Sequence, residues 1–161
     1  MARAYVALGG NLDDPRAHLT RAFAELSTLP QTCLTVRSAL YASAPVGYLN
    51  QPDFINAVAE LDTTLAPDAL LRELLQIEQR HGRYREFPNA PRTLDLDLLL
   101  YDDCVLHRHG LTLPHPRMHE RAFVLAPLVE IAPLCVIPGR GSAAELLSQL
   151  RGQALEKLDA A

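Results

Sequence analysis

Apolar side chains recur along this chain in two rhythms, one suited to strands and one to helices. Ala4–Leu8 is a short apolar run stopped by Gly9-Gly10, which predicts a buried strand. Asp14 is placed to cap a helix opening at Pro15, where the missing N–H costs nothing. Leu19, Ala22, Phe23 and Leu26 follow at i, i+3, i+4, i+7 and give that helix one apolar face, which Pro30 ends. Thr32–Tyr41 is rich in Thr, Val and Leu and reads as one strand, with Leu34 and Val36 on one face against Cys33, Thr35 and Arg37. Ser43–Pro52 is a loop with two prolines and a glycine. Phe54–Thr64 alternates clearly: Ile55, Ala57, Ala59 and Leu61 share one face, and Phe54, Asn56 and Val58 the other.

A second helix opens at Pro67, turns Leu70, Leu71, Leu74, Ile77 and Glu78 inward, and stops at Gly82. Arg83–Pro91 has no periodicity and is expected to be a mobile loop. Thr93–Tyr101 is the next strand, with Val105–Leu106 pairing back on it. Leu113-Pro-His-Pro-Arg is a stiff extended segment. Helical character returns over Arg121–Ile131, and Ser142-Ala-Ala-Glu145 is a capping box opening a last helix to about Leu150. The order β α β β α β followed by extras predicts an α+β fold, a ferredoxin-like α/β sandwich with a C-terminal elaboration.

Composition narrows the chemistry. A chain of 161 residues, 48% hydrophobic and 21% charged, fits one domain over residues 1–161 with a core that needs no disulfide or metal staple. The net charge of −4 argues against a general binder of nucleic acid or anionic membranes. The longest run without a charged residue, Ser38–Pro52, is interrupted by polar residues, prolines and glycine and is no membrane span. The N-terminal apolar stretch is too short for a signal peptide. Cys33, Cys104 and Cys135 are odd in number and form no C-x-x-C, so they are expected to be buried reduced thiols of a cytoplasmic protein. The one lysine, Lys157, lies near the C-terminus. A P-loop and a protein-kinase site are therefore excluded, and phosphate must be handled by guanidinium groups.

Three constellations carry candidate chemistry. In Arg92-Thr-Leu-Asp95-Leu-Asp97-Leu-Leu-Leu-Tyr101, a strand places Asp95 and Asp97 on one face with Cα atoms about 6.6 Å apart, and Leu94, Leu96, Leu98 and Leu100 on the other. Two carboxylates so placed repel each other, and a hard cation relieves them. Oxygen-only ligands favour Mg²⁺ over zinc. The alternative is a pair facing solvent or arginines. Arg80, Arg83, Arg85 and Arg92, with Arg117 and Arg121 downstream, form a cluster suited to bidentate phosphate contacts or, more simply, a solvated charged loop. Phe54 and Asn56 beside the Ser43–Pro52 loop suit a flat heterocycle, the ring stacking and the amide reading an edge; alternatively Phe54 is core and Asn56 caps a loop. His115, held rigidly between two prolines, reads by itself as a turn histidine. On the residues alone, a triphosphate-using transferase, a nucleotidyltransferase with the same Asp-x-Asp pair and a non-catalytic ligand-binding module all stay open.

Taken together, Tyr5-x-Ala-Leu-Gly-Gly-Asn11-Leu, Gln51-Pro-Asp-Phe54-x-Asn56-Ala, Glu78-x-x-x-Gly82-Arg83, Pro-Arg92-Thr-Leu-Asp95-Leu-Asp97 and Leu113-Pro-His115-Pro-Arg-Met-x-x-Arg121-x-Phe123 closely resemble the 6-hydroxymethyl-7,8-dihydropterin pyrophosphokinase family, from about Ala4 to Ile137. The resemblance implies transfer of diphosphate from ATP to the pterin hydroxymethyl group, with release of AMP, in folate biosynthesis. It implies two Mg²⁺ held by Asp95 and Asp97 and phosphate contacts from Arg83, Arg92 and Arg121, with Arg85 on the catalytic loop. It further implies nucleotide contacts from Glu78, Leu98, Thr112 and His115. The pterin would lie between Phe54 and Phe123, read by Asn56 and by the backbone of Ser43, Ala44 and Val46. ATP and the pterin are the implied partners, with no obligate protein partner. The chain departs from better-known members in having no Trp before Arg92 and in carrying Gly110 where some have arginine.

Overall fold

The computed structural model describes residues 1–45, 49–82 and 91–158. The chain runs β1 (Ala2–Gly10), α1 (Pro15–Ser27), β2 (Thr32–Arg37), β3 (Tyr41–Ser43), β4 (Phe54–Thr63), α2 (Pro67–Arg80) and β5 (Asp95–Tyr101). It continues through β6 (Leu106–Arg108), β7 (Leu111–Leu113), a 3₁₀ turn (Met118–Glu120) and α3 (Ala122–Ile131). β8 (Val136–Ile137), β9 (Gly141–Ser142), α4 (Ala143–Gln149) and β10 (Leu155–Lys157) complete it. The central sheet is ordered β10-β3-β4-β1-β5, and β2 shares the outer edge of β4 with β3. Its pairings are antiparallel, with β1 facing β4 from Ala2↔Thr63 to Gly10↔Ile55 and β5 from Ala4↔Tyr101 to Gly9↔Asp95.

The alternation along β4 divides two cores. Ala57, Ala59 and Leu61 join Leu19, Phe23 and Leu26 of α1 and Leu70, Leu74 and Ile77 of α2 on one side of the sheet. Val58 joins Val124, Leu125 and Leu128 of α3 and Ala143 of α4 on the other. Both faces of the sheet are thus covered, which is why its strands carry few charges. The helix starts follow the expected physics. Asp14 accepts from the Ala17 N–H ahead of Pro15, and Ser142 Oγ accepts from the Glu145 N–H at 3.3 Å. Gly82 sits at φ 76° just past α2, where a Cβ would be strained.

Five expectations need correction. Thr32–Tyr41 is not one strand. At Ser38 the ladder is interrupted, and the buried Ser38 hydroxyl accepts the Val58 N–H at 2.9 Å in place of a carbonyl. A bulge between Leu34 and Val36 sets Leu34 opposite Leu61 but Val36 opposite Glu60, so the two lie on opposite faces. A second bulge between Tyr5 and Val6 pairs them with Leu100 and Leu98. Leu100 therefore leaves the face of Leu94, Leu96 and Leu98 and enters the other core with Leu99. Leu106 pairs not with β5 but with Leu113, in a hairpin that turns at Gly110 (φ 82°). The thiols are not fully buried: Cys33 is exposed on β2, and Cys104 and Cys135 are half-buried, with burial raising the Cys135 pKa. The three are free cysteines. β8, β9 and β10, of two, two and three residues, are too short to carry a periodicity. Among the described residues, no helix is long and apolar enough to cross a membrane.

Candidate active site

The site forms where β1 ends. Ala7 and Gly9 are small, so the neighbouring strands can raise longer side chains above them: Asn56 opposite Gly9 on β4, and Asp97 opposite Ala7 and Asp95 opposite Gly9 on β5. The start of α3 arrives from above with Arg121 and Phe123. Together they enclose a cavity of about 380 Å³ whose lining includes Ser43, Ala44, Phe54, Asn56, Arg92, Asp95, Asp97, Arg117, Arg121 and Phe123.

One side of this cavity is apolar and amide-bearing. Asn56 Nδ2 donates to Ser43 Oγ at 2.7 Å, and both residues are buried, so the amide plane is fixed by a neighbouring strand. The rings of Phe54 and Phe123 each carry a guanidinium, with Arg92 5.6 Å from the first ring centroid and Arg121 5.5 Å from the second.

The other side is charged. Arg92 Nη1 donates to Asp95 Oδ2 at 2.9 Å. The Arg92 main chain is gripped by Asn11, the residue after β1: its N–H donates to Asn11 Oδ1 at 3.0 Å, and its carbonyl accepts from the Asn11 N–H at 2.9 Å. The Asn11 amide in turn donates to Gln51 Oε1 at 2.8 Å and to the Pro52 carbonyl at 2.9 Å. Burial lowers the Arg121 pKa, opposed by the nearby Asp97 and Asp95 carboxylates. A guanidinium starts so high that it stays cationic at neutral pH.

Most of the expected site residues converge here, and some do not. Glu78 is buried on α2, where its Oε2 accepts the Leu96 N–H at 2.6 Å, and it does not line the cavity. The Leu98 side chain lies in the helix-covered core, so only its main chain is free to face a ligand. Thr112 sits on β7 opposite His107. His115 donates its N–H to the Leu99 carbonyl at 2.9 Å and accepts the Arg117 N–H on Nδ1 at 3.2 Å. Arg83, Arg85, Val46 and the expected mobile loop Arg83–Pro91, apart from Pro91 itself, lie outside the described residues. Glu120 and Gln153 also line the cavity without any signal in the sequence, and Asn11, expected only to begin a turn after β1, ties that turn to Arg92 and Gln51. The Asn11 bonds reach residues 40 and 81 positions away, so no local signal announces them.

Burial, assisted by Arg121, pushes the His115 pKa down to about 4 against the opposing pull of Asp95. Burial, with His81 and Arg21 beside it, also lowers His18. Both rings are held neutral in the fold but accept a proton once unfolded. Their contribution is fully present above an ordinary histidine pKa near 6.5 and is lost as pH falls toward about 4. Glu25, lowered through its bonds to His81 and Arg80 despite burial, loses stability in the same direction at still lower pH. The melting temperature is expected to fall steadily from about pH 7 to about pH 4.5, with His115 contributing on the order of 1–2 kcal/mol after allowance for its partial exposure. Thermal melts of wild type and His115→Gln across this range check it. An equal slope in both removes His115 from the account.

An acid pair facing guanidinium groups across a cavity walled by two aromatic rings defines a transferase that handles phosphates. Comparison with known proteins makes this specific. The model of the family 7,8-dihydro-6-hydroxymethylpterin-pyrophosphokinase (HPPK) matches residues 5–133. The 2-amino-4-hydroxy-6-hydroxymethyldihydropteridine pyrophosphokinase of Haemophilus influenzae is 43% identical over 99% of this chain and 99% of its own length. That of Pseudomonas aeruginosa is 45% identical over 99% and 98%. This chain belongs to that family and is an enzyme, a pyrophosphokinase. At the level of fold, the HPPK-DHPS protein solved in complex with substrates is similar with a TM-score of 0.69 at 13% identity, covering 91% of this chain and 43% of the other.

Proposed function

We propose that this chain transfers the β,γ-diphosphate of ATP to the hydroxymethyl oxygen of 6-hydroxymethyl-7,8-dihydropterin and releases AMP, a step in folate biosynthesis. The observation that carries this reading is the junction, in one cavity, of a stacking and amide wall with an acid-and-arginine wall. Phe54 and Phe123 sandwich the bicyclic ring, while Asn56, held by Ser43, presents its carbonyl to the ring edge and Ala44 and Val46 close the pocket. Arg92 and Arg121, with Arg83 and Arg85 from the preceding loop, bind phosphate oxygens. Thr112, His115 and the main chain at Leu98 lie on the nucleotide side, with Glu78 behind the strand. The pterin hydroxyl oxygen forms its bond to the β-phosphorus and loses its proton to solvent as the bond from that phosphorus to the α,β-bridging oxygen breaks, and AMP leaves with that oxygen.

Asp95 and Asp97 are the donors for two Mg²⁺. Among the described residues, no group of three His, Cys, Asp or Glu side chains could hold a metal ion. Two carboxylates with the remaining positions left to phosphate and water suit Mg²⁺, which is commonly bound this way. Bound there, Mg²⁺ supplies charge neutralisation across the phosphates. The protein's own part is to hold the hydroxyl in line with the phosphorus and to place guanidinium charge on the transferring group.

The sheet order β5-β1-β4-β2, with α1 and α2 on one face, supports a ferredoxin-like βαββαβ core with the residues beyond Tyr101 as its elaboration. We read residues 1–161 as one domain, working in the cytoplasm without a protein partner. The test uses the purified chain alone with Mg²⁺, the pterin and ATP labelled with ³²P at the γ-position. Label is expected on the pterin, with unlabelled AMP released. Label in free phosphate or pyrophosphate, with none on the pterin, overturns the proposal.

A further inference from the structure

β5 is the outer strand of the central sheet, so the N–H groups that point away from β1 have no neighbouring strand to receive them. One of these belongs to Leu96, between Asp95 and Asp97. It donates at 2.6 Å to Glu78 Oε2, a carboxylate projected from α2 and only 1% exposed. A second bond from the end of α2 flanks Asp95 on its other side: Thr93 Oγ1 donates to the His81 carbonyl at 2.6 Å. The last turn of α2 therefore holds the strand both before and after Asp95. On the opposite edge β1 holds the same stretch through Asp95↔Gly9 and Asp97↔Ala7.

We propose that Glu78 is a positioning residue for the acid pair: by gripping the Leu96 N–H it fixes the height and tilt of β5, and so the spacing at which Asp95 and Asp97 present their oxygens to a divalent cation. This inference rests on the reading of Asp95 and Asp97 as cation donors. It differs from a nucleotide contact in that Glu78 acts through the main chain of β5. A buried carboxylate is costly, and a chain that needed only to fill this space would use Leu or Met. What a carboxylate supplies here is a strong acceptor at the end of a side chain of this length. Partners that orient metal ligands are typically worth 10–100-fold in metal affinity.

Two variants separate reach from charge. Glu78→Gln loses the charge but keeps an acceptor oxygen at the same distance. Glu78→Asp keeps the charge but withdraws it by one methylene. Mn²⁺ binding is measured by electron paramagnetic resonance in the presence of a non-hydrolysable ATP analogue. Exchange of the Leu96 amide proton is followed by NMR in the free protein, which needs no metal. Glu78→Asp is expected to weaken Mn²⁺ about 10-fold or more and to speed Leu96 exchange by a similar factor. The KM for the pterin should stay within about twofold, because Phe54 and Asn56 stand on a different strand. Glu78→Gln, which keeps an acceptor at full reach, is expected to protect the Leu96 amide better than Glu78→Asp does.

The inference is overturned if Glu78→Asp binds Mn²⁺ as wild type does, or if the Leu96 amide of Glu78→Asp exchanges no faster than that of wild type. A wild-type chain that binds Mn²⁺ yet transfers no diphosphate overturns the proposed reaction and leaves the positioning role standing. A wild-type chain that binds no Mn²⁺ overturns both the cation reading and this inference.

Discussion

Asp97→Ala is expected to reduce turnover by about 10³-fold or more while the protein still folds cooperatively. Asp97 faces the cavity from β5, opposite Ala7, and its carboxylate bears on Arg121 above it. Its removal strips charge from the proposed cation site without opening the core, because the residues that fill the core are its neighbours Leu96 and Leu98 on the other face. Asp95→Ala should cost as much in rate and lower stability as well. Asp95 is bonded to Arg92 at 2.9 Å, and losing it leaves a half-buried guanidinium without that acceptor. Removal of either carboxylate also relieves the repulsion between the two, which offsets part of the stability lost with its partners in ligand-free thermal melts. Steady-state turnover and thermal melts of the two variants check this. If either variant keeps turnover within about tenfold of wild type, its carboxylate holds no essential cation.

The second large effect is expected at Gly10. A Cβ placed there would lie 2.4 Å from the Thr93 carbonyl oxygen and 3.1 Å from its carbon. Both are main-chain atoms, and neither can rotate away as a side chain could. Gly10→Ala must therefore force apart the end of β1 and the segment that carries Arg92. That segment is held by the Asn11 N–H to the Arg92 carbonyl and by the Arg92 N–H to Asn11 Oδ1. Overpacking of this kind costs about 2–3 kcal/mol, or roughly 4–12 °C in melting temperature for a chain of this length. Turnover should fall by about 100-fold as well if Arg92 binds phosphate as proposed, since a displacement near 1 Å of such a group is enough to misalign transfer. Gly9→Ala is the control. Its Cβ would meet Asn56 Oδ1 at 3.2 Å, a side-chain atom able to give way, so its effect should fall on pterin affinity with little loss of stability. A Gly10→Ala protein that melts and turns over like wild type would falsify the account of this contact.

What the amino-acid sequence by itself determined lies at short range. The apolar face of α1, the alternation along β4, the cap at Asp14 and the stop at Gly82 depend on neighbours within a turn or two, and all four stand in the structure. Asp95, Asp97 and Arg92 were legible for the same reason: they fall within six residues, and strand geometry alone puts the two acids on one face. The meeting of Phe54 with Phe123 was legible only through family resemblance, because no periodicity links residues so far apart. Tertiary structure decided the rest. A bulge at Leu99 moved Leu100 to the other core, and Ser38 divided one expected strand in two, because β1 and β4 dictate the register that their partners must follow. β10 joined the sheet through Leu155↔Ser43, a pairing with no local signature. Asn11 became the clasp between Arg92 and the Gln51–Pro52 turn, and Glu78 turned from an inward helix residue into the acceptor for an edge strand. In each case a polar group had to be satisfied by whatever the fold brought within about 3 Å, and that is known only once the distant parts of the chain have met.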